Sequence, residues 1–353
     1  MKEYKLTDWL PTTKKEAELR GWNELDVIIF SGDAYVDHPS FGAAVIGRML
    51  EAKGLKVAII PQPNWRDDLR DFKKLGRPRL FFGVSAGCMD SMVNKYTANR
   101  RLRSEDAYTP DGRHDMRPEY PSIVYTQILK KLYPDVPVVL GGIEASLRRL
   151  THYDYWEEKL RPSILVESGA DLLIYGMGEK QTLEVANRLK NGEDIHLMHD
   201  INGTCYAVPV SETPLYGKEC PSYENVLKSK KEYAVSVRIE QDEQDHIRGK
   251  LLKQRHGNMM LVQNPPMSPL TRDELDVVLN TISEQSRYNI MPPQGKINKP
   301  IIQFYIIKYL LSSKAILSIN ILLYIICSLY LLKIINFLIS FLYLFNSYLF
   351  YQK

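Results

Sequence analysis

The stretch that decides the fold runs from Leu25 to Lys53 and reads LDVIIFSGDAYVDHPSFGAAVIGRMLEAK. It begins with an apolar run, Leu25–Ser31, that is typical of a buried strand, and after a glycine-containing loop it shows helical periodicity from Phe41 to Lys53. We predict Ser40 as the N-cap of this helix and Gly54 as its C-terminal stop. The stretch therefore predicts one strand–loop–helix unit.

The same kind of unit recurs along the next 135 or so residues, because further apolar runs of strand length alternate with helical stretches. The further predicted strands are Leu55–Pro61, Leu80–Val84, Val136–Leu140 and Asp171–Tyr175, and the helices between and after them include Ser122–Leu132 and Glu179–Leu189. Parallel strands that are covered on both faces are apolar throughout. We therefore predict an α/β fold with a doubly wound, mostly parallel, Rossmann-like sheet.

The alternation weakens from about Asn191. Strand-like segments are predicted at Thr204–Val210 and Glu232–Ile239, and a capping box at Thr271–Glu274 predicts one more helix. We divide the chain into a Rossmann-like domain at residues 1–190, a connector at residues 191–300 and a hydrophobic tail at residues 301–353.

The tail has an unusual composition. Residues 301–353 contain 24 Ile or Leu in 53 positions and no Asp, Glu, Arg, Gly, Pro or Val. Two uncharged stretches, Ala315–Leu332 and Ile334–Gln352, are each near the length that spans a bilayer. Two interpretations stay open: a helical membrane anchor, or a frameshift product, which the bias toward residues with A/T-rich codons favours. A membrane-associated location follows from the first, whereas residues 1–300 are expected to be cytoplasmic.

The charges and cysteines exclude some classes of protein. The chain has 46 Lys and Arg against 42 Asp and Glu, and the excess equals the four lysines of the tail. A neutral body lacks the field that drives phosphate binding, so no nucleic-acid partner is expected despite the local cluster Lys95, Arg100, Arg101 and Arg103. The widely spaced cysteines contain no C-x-x-C pair and indicate a reducing compartment without a disulfide framework. They are Cys88, Cys205, Cys220 and Cys327.

The loops that follow the predicted strands hold the candidate site, because open α/β sheets bind ligands at the carboxyl ends of their strands. In the first loop, Asp33, Asp37 and His38 supply acceptors and a possible base. The alternative is structural: Asp37 and Ser40 cap the helix, and His38 bonds a nearby carbonyl. A small-molecule ligand is thus one of two open interpretations of this loop.

Glycines end two later strands and bring backbone amides within reach of a ligand. Gly141 and Gly142 precede Glu144, and Gly176 and Gly178 precede Glu179, although ordinary tight turns also use glycine. The predicted cofactor-binding residues are Asp33, Gly141, Gly142, Gly176 and Gly178.

No metal ligand and no catalytic residue is assigned. Cys88, near the predicted ligand edge, is interpreted as a packing residue, because a reactive thiolate needs a neighbouring positive charge. His196, His199 and Asp200 lack the spacing of a zinc site and are interpreted as surface residues.

Four segments in this order, GDAYVDHPSFGAAVIGRMLEAKG, VVLGGIEASLRRLTHYDYW, ADLLIYGMGEKQT and VQNPPMSPLT, resemble the YgiQ-type family of radical S-adenosylmethionine (SAM) proteins. The resemblance covers roughly Leu10 to Arg287. It implies an N-terminal domain similar to cobalamin-binding Rossmann-type domains, followed by a barrel that holds a 4Fe-4S cluster and S-adenosylmethionine.

The sequence departs from this family at two points. The C-x-x-x-C-x-x-C motif that holds the cluster through three thiolates is absent. Related cobalt-ligating domains carry D-x-H-x-x-G, whereas here Asp37 and His38 are adjacent and Gly42 lies four residues further on. The resemblance therefore implies the N-terminal portion of a radical SAM iron–sulfur protein of unassigned substrate, inactive as written. The alternative is a module that binds a cobalamin-like ligand or a nucleotide, tethered by its tail.

Overall fold

Strands and helices alternate through most of the chain, and the computed structural model describes residues 5–286. The strands are β1 (Val27–Ser31), β2 (Val57–Pro61), β3 (Phe81–Ser85), β4 (Val138–Gly141), β5 (His152–Asp154), β6 (Lys159–Arg161), β7 (Leu172–Ile174), β8 (Thr204–Pro209), β9 (Lys218–Cys220), β10 (Leu252–His256) and β11 (Met259–Gln263). The α-helices are α1 (Lys14–Leu19), α2 (Gly42–Ala52), α3 (Arg70–Lys73), α4 (Ser91–Lys95), α5 (Pro121–Leu132), α6 (Gly142–Leu147), α7 (Ile164–Ser168), α8 (Glu179–Lys190), α9 (Tyr223–Lys228), α10 (Lys230–Asp242) and α11 (Arg272–Ser286).

One mixed sheet organises the described part of the chain. Its strand order is β2-β1-β3-β4-β7-β8-β11-β10-β9, and β5 and β6 form a separate two-stranded sheet. The pairings from β2 through β7 are all parallel, whereas β8 and β11 are antiparallel to their neighbours up to β10. The five predicted parallel strands are therefore confirmed, and the α/β class with them.

Helices cover both faces of the parallel part of the sheet. Successive residues of each strand point alternately toward one face and the other. On one side, Ile29 and Ile59 lie close to Gly47 of α2. On the other side, Phe30 stacks on Phe72 with 5.2 Å between ring centroids and belongs to the same buried cluster as Tyr125 of α5. Because both faces of β1 contact apolar side chains, neither face requires polar residues, and VIIF is therefore a continuous apolar run.

Two of the three predicted helix-end signals are confirmed by the structure and one is wrong. Gly54, with φ of +81°, follows the C-cap Lys53 and confirms the predicted stop of α2. The N-cap prediction was wrong, because Phe41 occupies that position without a side-chain hydrogen bond. The predicted capping box of α11 is confirmed: Glu274 N–H donates to Thr271 Oγ1 at 3.3 Å, and Thr271 N–H donates to Glu274 Oε2 at 2.7 Å.

The region after residue 190 contains one predicted strand that is correct and one that is wrong. Thr204–Pro209 is strand β8, but the predicted strand at Glu232–Ile239 lies inside helix α10. The side chain of Ser229 caps this helix by accepting from Glu232 N–H, and this local hydrogen bond favours the helix over an extended strand.

The region assigned to a connector supplies strands β8 to β11 to the same sheet. The division at residue 190 stays a prediction. Within residues 5–286, no helix has both the length and the apolar character that crossing a bilayer requires. The predicted tail, Ile301–Lys353, lies outside the described residues.

A buried histidine makes the stability of this fold depend on pH. His256 in β10 is 6% exposed and stacks on Tyr223 with 5.4 Å between ring centroids. Burial lowers the pKa of His256 from 6.5 to about 4. Between these values the unfolded chain binds a proton at this residue that the folded chain does not, so stability falls as the pH falls from about 6.5 to 4.

We therefore predict that His256→Phe flattens this part of the stability profile by about 3 kcal/mol at pH 4, as measured by urea unfolding across the interval. His196→Phe, at a ring whose side chain is 65% exposed, is the control and should keep the parent's profile. Equal slopes for the parent and His256→Phe would contradict the prediction.

Candidate ligand site at the carboxyl edge of the sheet

A cavity of about 230 Å³ lies at the carboxyl ends of β1, β3 and β4, and we call it the carboxyl-edge cavity. The last rung of the sheet pairs Ser31 of β1 with Ser85 of β3, and Ser85 with Gly141 of β4. These small residues leave space above the strand ends. Its lining includes Ser31, Asp33, Gly42, Ser85, Gly87 and Gly142.

Asp33, one of the predicted cofactor-binding residues, lines the cavity, but its carboxylate is already engaged. It is 1% exposed, accepts from Arg117 Nη1 at 2.7 Å and accepts from Cys88 N–H at 2.6 Å. Arg117 also donates to Asp106 Oδ2 at 2.8 Å, so that one buried guanidinium joins two carboxylates. Burial raises the pKa of Asp33, and the charge of Arg117 opposes that shift. Asp33 therefore holds the loops together at the base of the site.

Two positions at the base of the site require glycine, because another side chain lies too close to the backbone there to leave room for a Cβ atom. A Cβ on Gly87, which has φ of +112°, would lie 2.1 Å from Asp33 Oδ1. A Cβ on Gly142, with φ of +84°, would lie 2.5 Å from Ser85 Oγ. Packing alone therefore explains glycine at position 142, whether or not this residue also contacts a ligand as predicted.

The two serines give the cavity hydrogen-bond donors. Ser31 Oγ accepts from Asp33 N–H at 3.2 Å, and Ser85 Oγ accepts from Gly87 N–H at 3.2 Å. A hydroxyl that accepts in this way still has its own proton to donate. The pair can therefore bind an oxygen or nitrogen acceptor of a ligand. Ser85 directly follows the predicted strand Leu80–Val84, but nothing in the sequence pattern distinguishes it from a turn residue.

The other polar residues of the first loop have structural partners. Asp37 accepts from Arg48 Nε at 3.1 Å, both side chains being buried, and so neither of the predicted roles of Asp37 is seen. His38 Nδ1 accepts from Ser40 N–H at 3.1 Å, and its ring makes an edge contact with Phe41. The predicted bond from His38 to a carbonyl stays a prediction.

The remaining predicted glycines lie along the same edge but outside the described lining of the cavity. Gly141 ends β4, whereas Gly176 N–H donates to Ser146 Oγ at 3.1 Å and Gly178 is the N-cap of α8. Whether they contact a ligand stays a prediction.

Glu144 has a different role from that of a ligand group. It is fully buried, and its two carboxylate oxygens accept from Ser91 N–H at 3.0 Å and from Ser122 N–H at 3.2 Å. One carboxylate thereby binds the first turns of α4 and α5. Burial and the neighbouring Asp90 raise the pKa of Glu144.

Cys88 and the histidines fit the predicted structural interpretation. Burial raises the pKa of the Cys88 thiol, and the adjacent Asp33 raises it further, which is opposite to the needs of a reactive thiolate. Asp200 pairs with Arg188 at 2.6 Å, and His199 stacks on Tyr206. Within residues 5–286 no three His, Cys, Asp or Glu side chains are grouped as a metal site would need.

Comparison with known proteins identifies the family. Residues 9–297 match the family described as Radical SAM N-terminal. The chain belongs to this family. A UPF0313 protein of Bacteroides thetaiotaomicron is 64% identical over 289 residues, which are 78% of this chain and 47% of that protein. A UPF0313 protein of Porphyromonas gingivalis is 62% identical over 278 residues, covering 78% of this chain and 44% of that protein.

The radical SAM N-terminal chain thus spans about half the length of the curated relatives it matches. Among solved structures, the radical SAM methyltransferase TsrM from Kitasatospora setae is 19% identical to this chain, with a TM-score of 0.34. The matched region covers 51% of this chain and 28% of the TsrM chain.

The radical SAM family implies a 4Fe-4S cluster, and the described cysteines do not fit one. Cys205 on β8 and Cys220 on β9 have β11 and β10 between them, so at the usual strand spacing they lie at least roughly 14 Å apart. Burial raises the pKa of both thiols to about 12, whereas iron binds thiolates. These residues are therefore packing residues of the radical SAM N-terminal domain.

We predict that Arg117→Met destabilises this radical SAM N-terminal domain by about 3–5 kcal/mol, because it leaves two buried carboxylates without their cation. Urea unfolding at neutral pH measures the loss. Arg77→Met is the matched control, because its ion pair with Asp135 is exposed, and it should unfold close to the parent. Parent-like stability of Arg117→Met would show that the buried pair contributes little.

Proposed function

We propose that residues 9–297 serve as the N-terminal domain of a YgiQ-type radical SAM protein and that the carboxyl-edge cavity binds its small-molecule ligand. The position of the cavity carries this proposal, since it opens where three parallel strands end. Open α/β sheets bind their ligands at this edge. The hydroxyls of Ser31 and Ser85 supply the convergent polar groups that such sites use.

The lining favours a neutral, hydroxyl-rich group. None of the described residues that line the cavity is Lys or Arg, and the one carboxylate, Asp33, is paired with Arg117. A phosphate would find no cation there, whereas a sugar offers the acceptors and donors that serine hydroxyls bind. At about 230 Å³ the cavity takes a part of a ligand the size of a nucleotide or cobalamin. The sugar of a nucleotide, or of the nucleotide portion of a cobalamin-like ligand, fits both properties.

The site is not suited to hold cobalt through a histidine. None of the described residues that line the carboxyl-edge cavity is a histidine. A cobalamin-like ligand would therefore bind through its nucleotide portion, with Ser31 and Ser85 as partners.

We further propose that this sequence does not assemble the cluster of a radical SAM enzyme. The cluster needs three neighbouring thiolates, and the four cysteines of the sequence have no such spacing. The radical reaction that the family implies would need ligands beyond these.

Anaerobic reconstitution of the purified chain with iron and sulfide tests this second proposal. We expect no brown visible absorption and no reductive cleavage of added S-adenosylmethionine. Substoichiometric iron without the absorption band would count as adventitious binding, whereas the band together with cleavage would overturn the proposal.

A substitution at the start of α2 tests the ligand site. Gly42 lines the cavity and is exposed, and a Cβ at this position would meet no atom within 4 Å apart from its chain neighbours and its own helix backbone. Gly42→Leu should therefore narrow the cavity without disturbing the core. We predict at least about a tenfold loss of affinity for adenosine or hydroxocobalamin, measured by equilibrium dialysis.

Lys230→Leu is the matched control, because it adds the same side chain at the exposed first residue of another helix, α10. It should keep the parent's affinity. Failure of both probes to bind the parent, or equal binding by Gly42→Leu and the parent, would remove the proposed site.

A further inference from the structure

A second cavity lies beside the first, over the end of β2, and we call it the β2 cavity. Its volume is about 330 Å³, and it shares Ala34 and Tyr35 with the carboxyl-edge cavity. Because β2 neighbours β1 in the sheet, the two cavities are consecutive along the same edge. The other lining residues are Pro61, Gln62, Thr109, Pro110, Asp111, Arg113 and Met116.

One wall of the β2 cavity is a loop segment, residues 105–117, that crosses the edge of the sheet. It is held there by three contacts with strand ends. Ala34 N–H donates to Tyr108 O at 2.9 Å, Gln62 Nε2 donates to Thr109 Oγ1 at 2.7 Å, and Arg117 pairs with Asp33. The wall is therefore built before any ligand binds, as in most small-molecule sites.

Two residues of the lining have unfavourable backbone conformations. Gln62 has φ of 42° and Asp111 has φ of 58°, in the left-handed region that residues other than glycine rarely adopt. Such conformations persist where the surrounding contacts hold them, and they concentrate at ligand sites. Here the conformation of Gln62 places its amide at the cavity, where Nε2 bonds Thr109 and Oε1 can accept from a ligand.

The chemistry of the β2 cavity suits a planar, uncharged, polar ring. Pro61, Pro110 and Met116 supply apolar surface for the faces of a ring. The amide of Gln62 and the charged pair Asp111–Arg113, whose nearest atoms are 3.6 Å apart, supply donors and acceptors for its edge. Because the two charges cancel, the cavity has no net attraction for an ion.

We propose that the β2 cavity binds the heterocyclic base of a nucleoside-type ligand. This deepens the function proposed above and rests on it for the rest of the ligand: the base lies in the β2 cavity and the sugar reaches the carboxyl-edge cavity past Ala34 and Tyr35. The common feature is the planar heterocycle, which a free nucleoside and the nucleotide portion of a cobalamin-like ligand share.

Saturation-transfer NMR of the full chain with free adenine tests the β2 cavity independently of the carboxyl-edge cavity. Met116 is 37% exposed, so Met116→Trp should narrow the cavity without altering the core, and Leu227→Trp, at a 51% exposed leucine of α9, is the control. We expect adenine to receive saturation from the parent, from Leu227→Trp and from Gly42→Leu, and at least about fivefold less from Met116→Trp.

The outcomes separate the two proposals. No saturation transfer from the parent, an unchanged signal in Met116→Trp, or a loss in Gly42→Leu would each overturn the base site. A positive adenine result combined with parent-like adenosine and hydroxocobalamin binding by Gly42→Leu would retain the base site and remove the sugar site.

Two whole ligands then distinguish the sources of the heterocycle. If Met116→Trp weakens adenosine binding alone, the ligand is a free nucleoside type; if it weakens hydroxocobalamin binding, the cobalamin-like source is supported. Parent-like affinity of Met116→Trp for both ligands would overturn the base site even where free adenine binds.

Discussion

The arrangement of this edge of the molecule depends on one buried guanidinium. Arg117 joins Asp33, which follows β1, to Asp106, which lies in the segment crossing the sheet, and all three side chains are nearly inaccessible to solvent. A buried charge without its partners is costly, so the loop and the strand end are held in one relative position. Both cavities use walls that this ion pair fixes.

Small residues and hydrogen-bonded turns then shape the space that the ion pair encloses. Ser31, Ser85 and Gly141 end three neighbouring strands at one level, and larger side chains in place of the two serines would reduce the volume of the carboxyl-edge cavity. Glu144 adds rigidity from behind by bonding the first turns of α4 and α5 with one carboxylate. Hydrogen bonds therefore hold the protein groups beneath the cavity in place, while the small residues at the strand ends leave the space above them open.

Local patterns predicted the elements well where burial on both faces imposed them. The five apolar runs from LDVIIFS to DLLIY became parallel strands, and Gly54 and Thr271 ended and began helices as expected. The pattern misled at residues 232–239, because Tyr233, Val235, Val237 and Ile239 are spaced as in a strand. The cap at Ser229 favours a helix instead. Among the candidate site residues, Asp33 and Gly142 meet at the cavity, whereas Asp37 pairs with Arg48.

The sequence by itself determined the fold class, the family resemblance and the edge of the sheet at which a ligand site is expected. These follow from short-range periodicity and from the rule that parallel strands end together. Only the tertiary structure decided which polar groups remain for a ligand. Arg117 is 84 residues from Asp33, and Gln62 meets Thr109 across 47 residues, and no local pattern encodes such partners. Whether a side chain is engaged or available depends on contacts between distant segments, which exist only after the chain has folded.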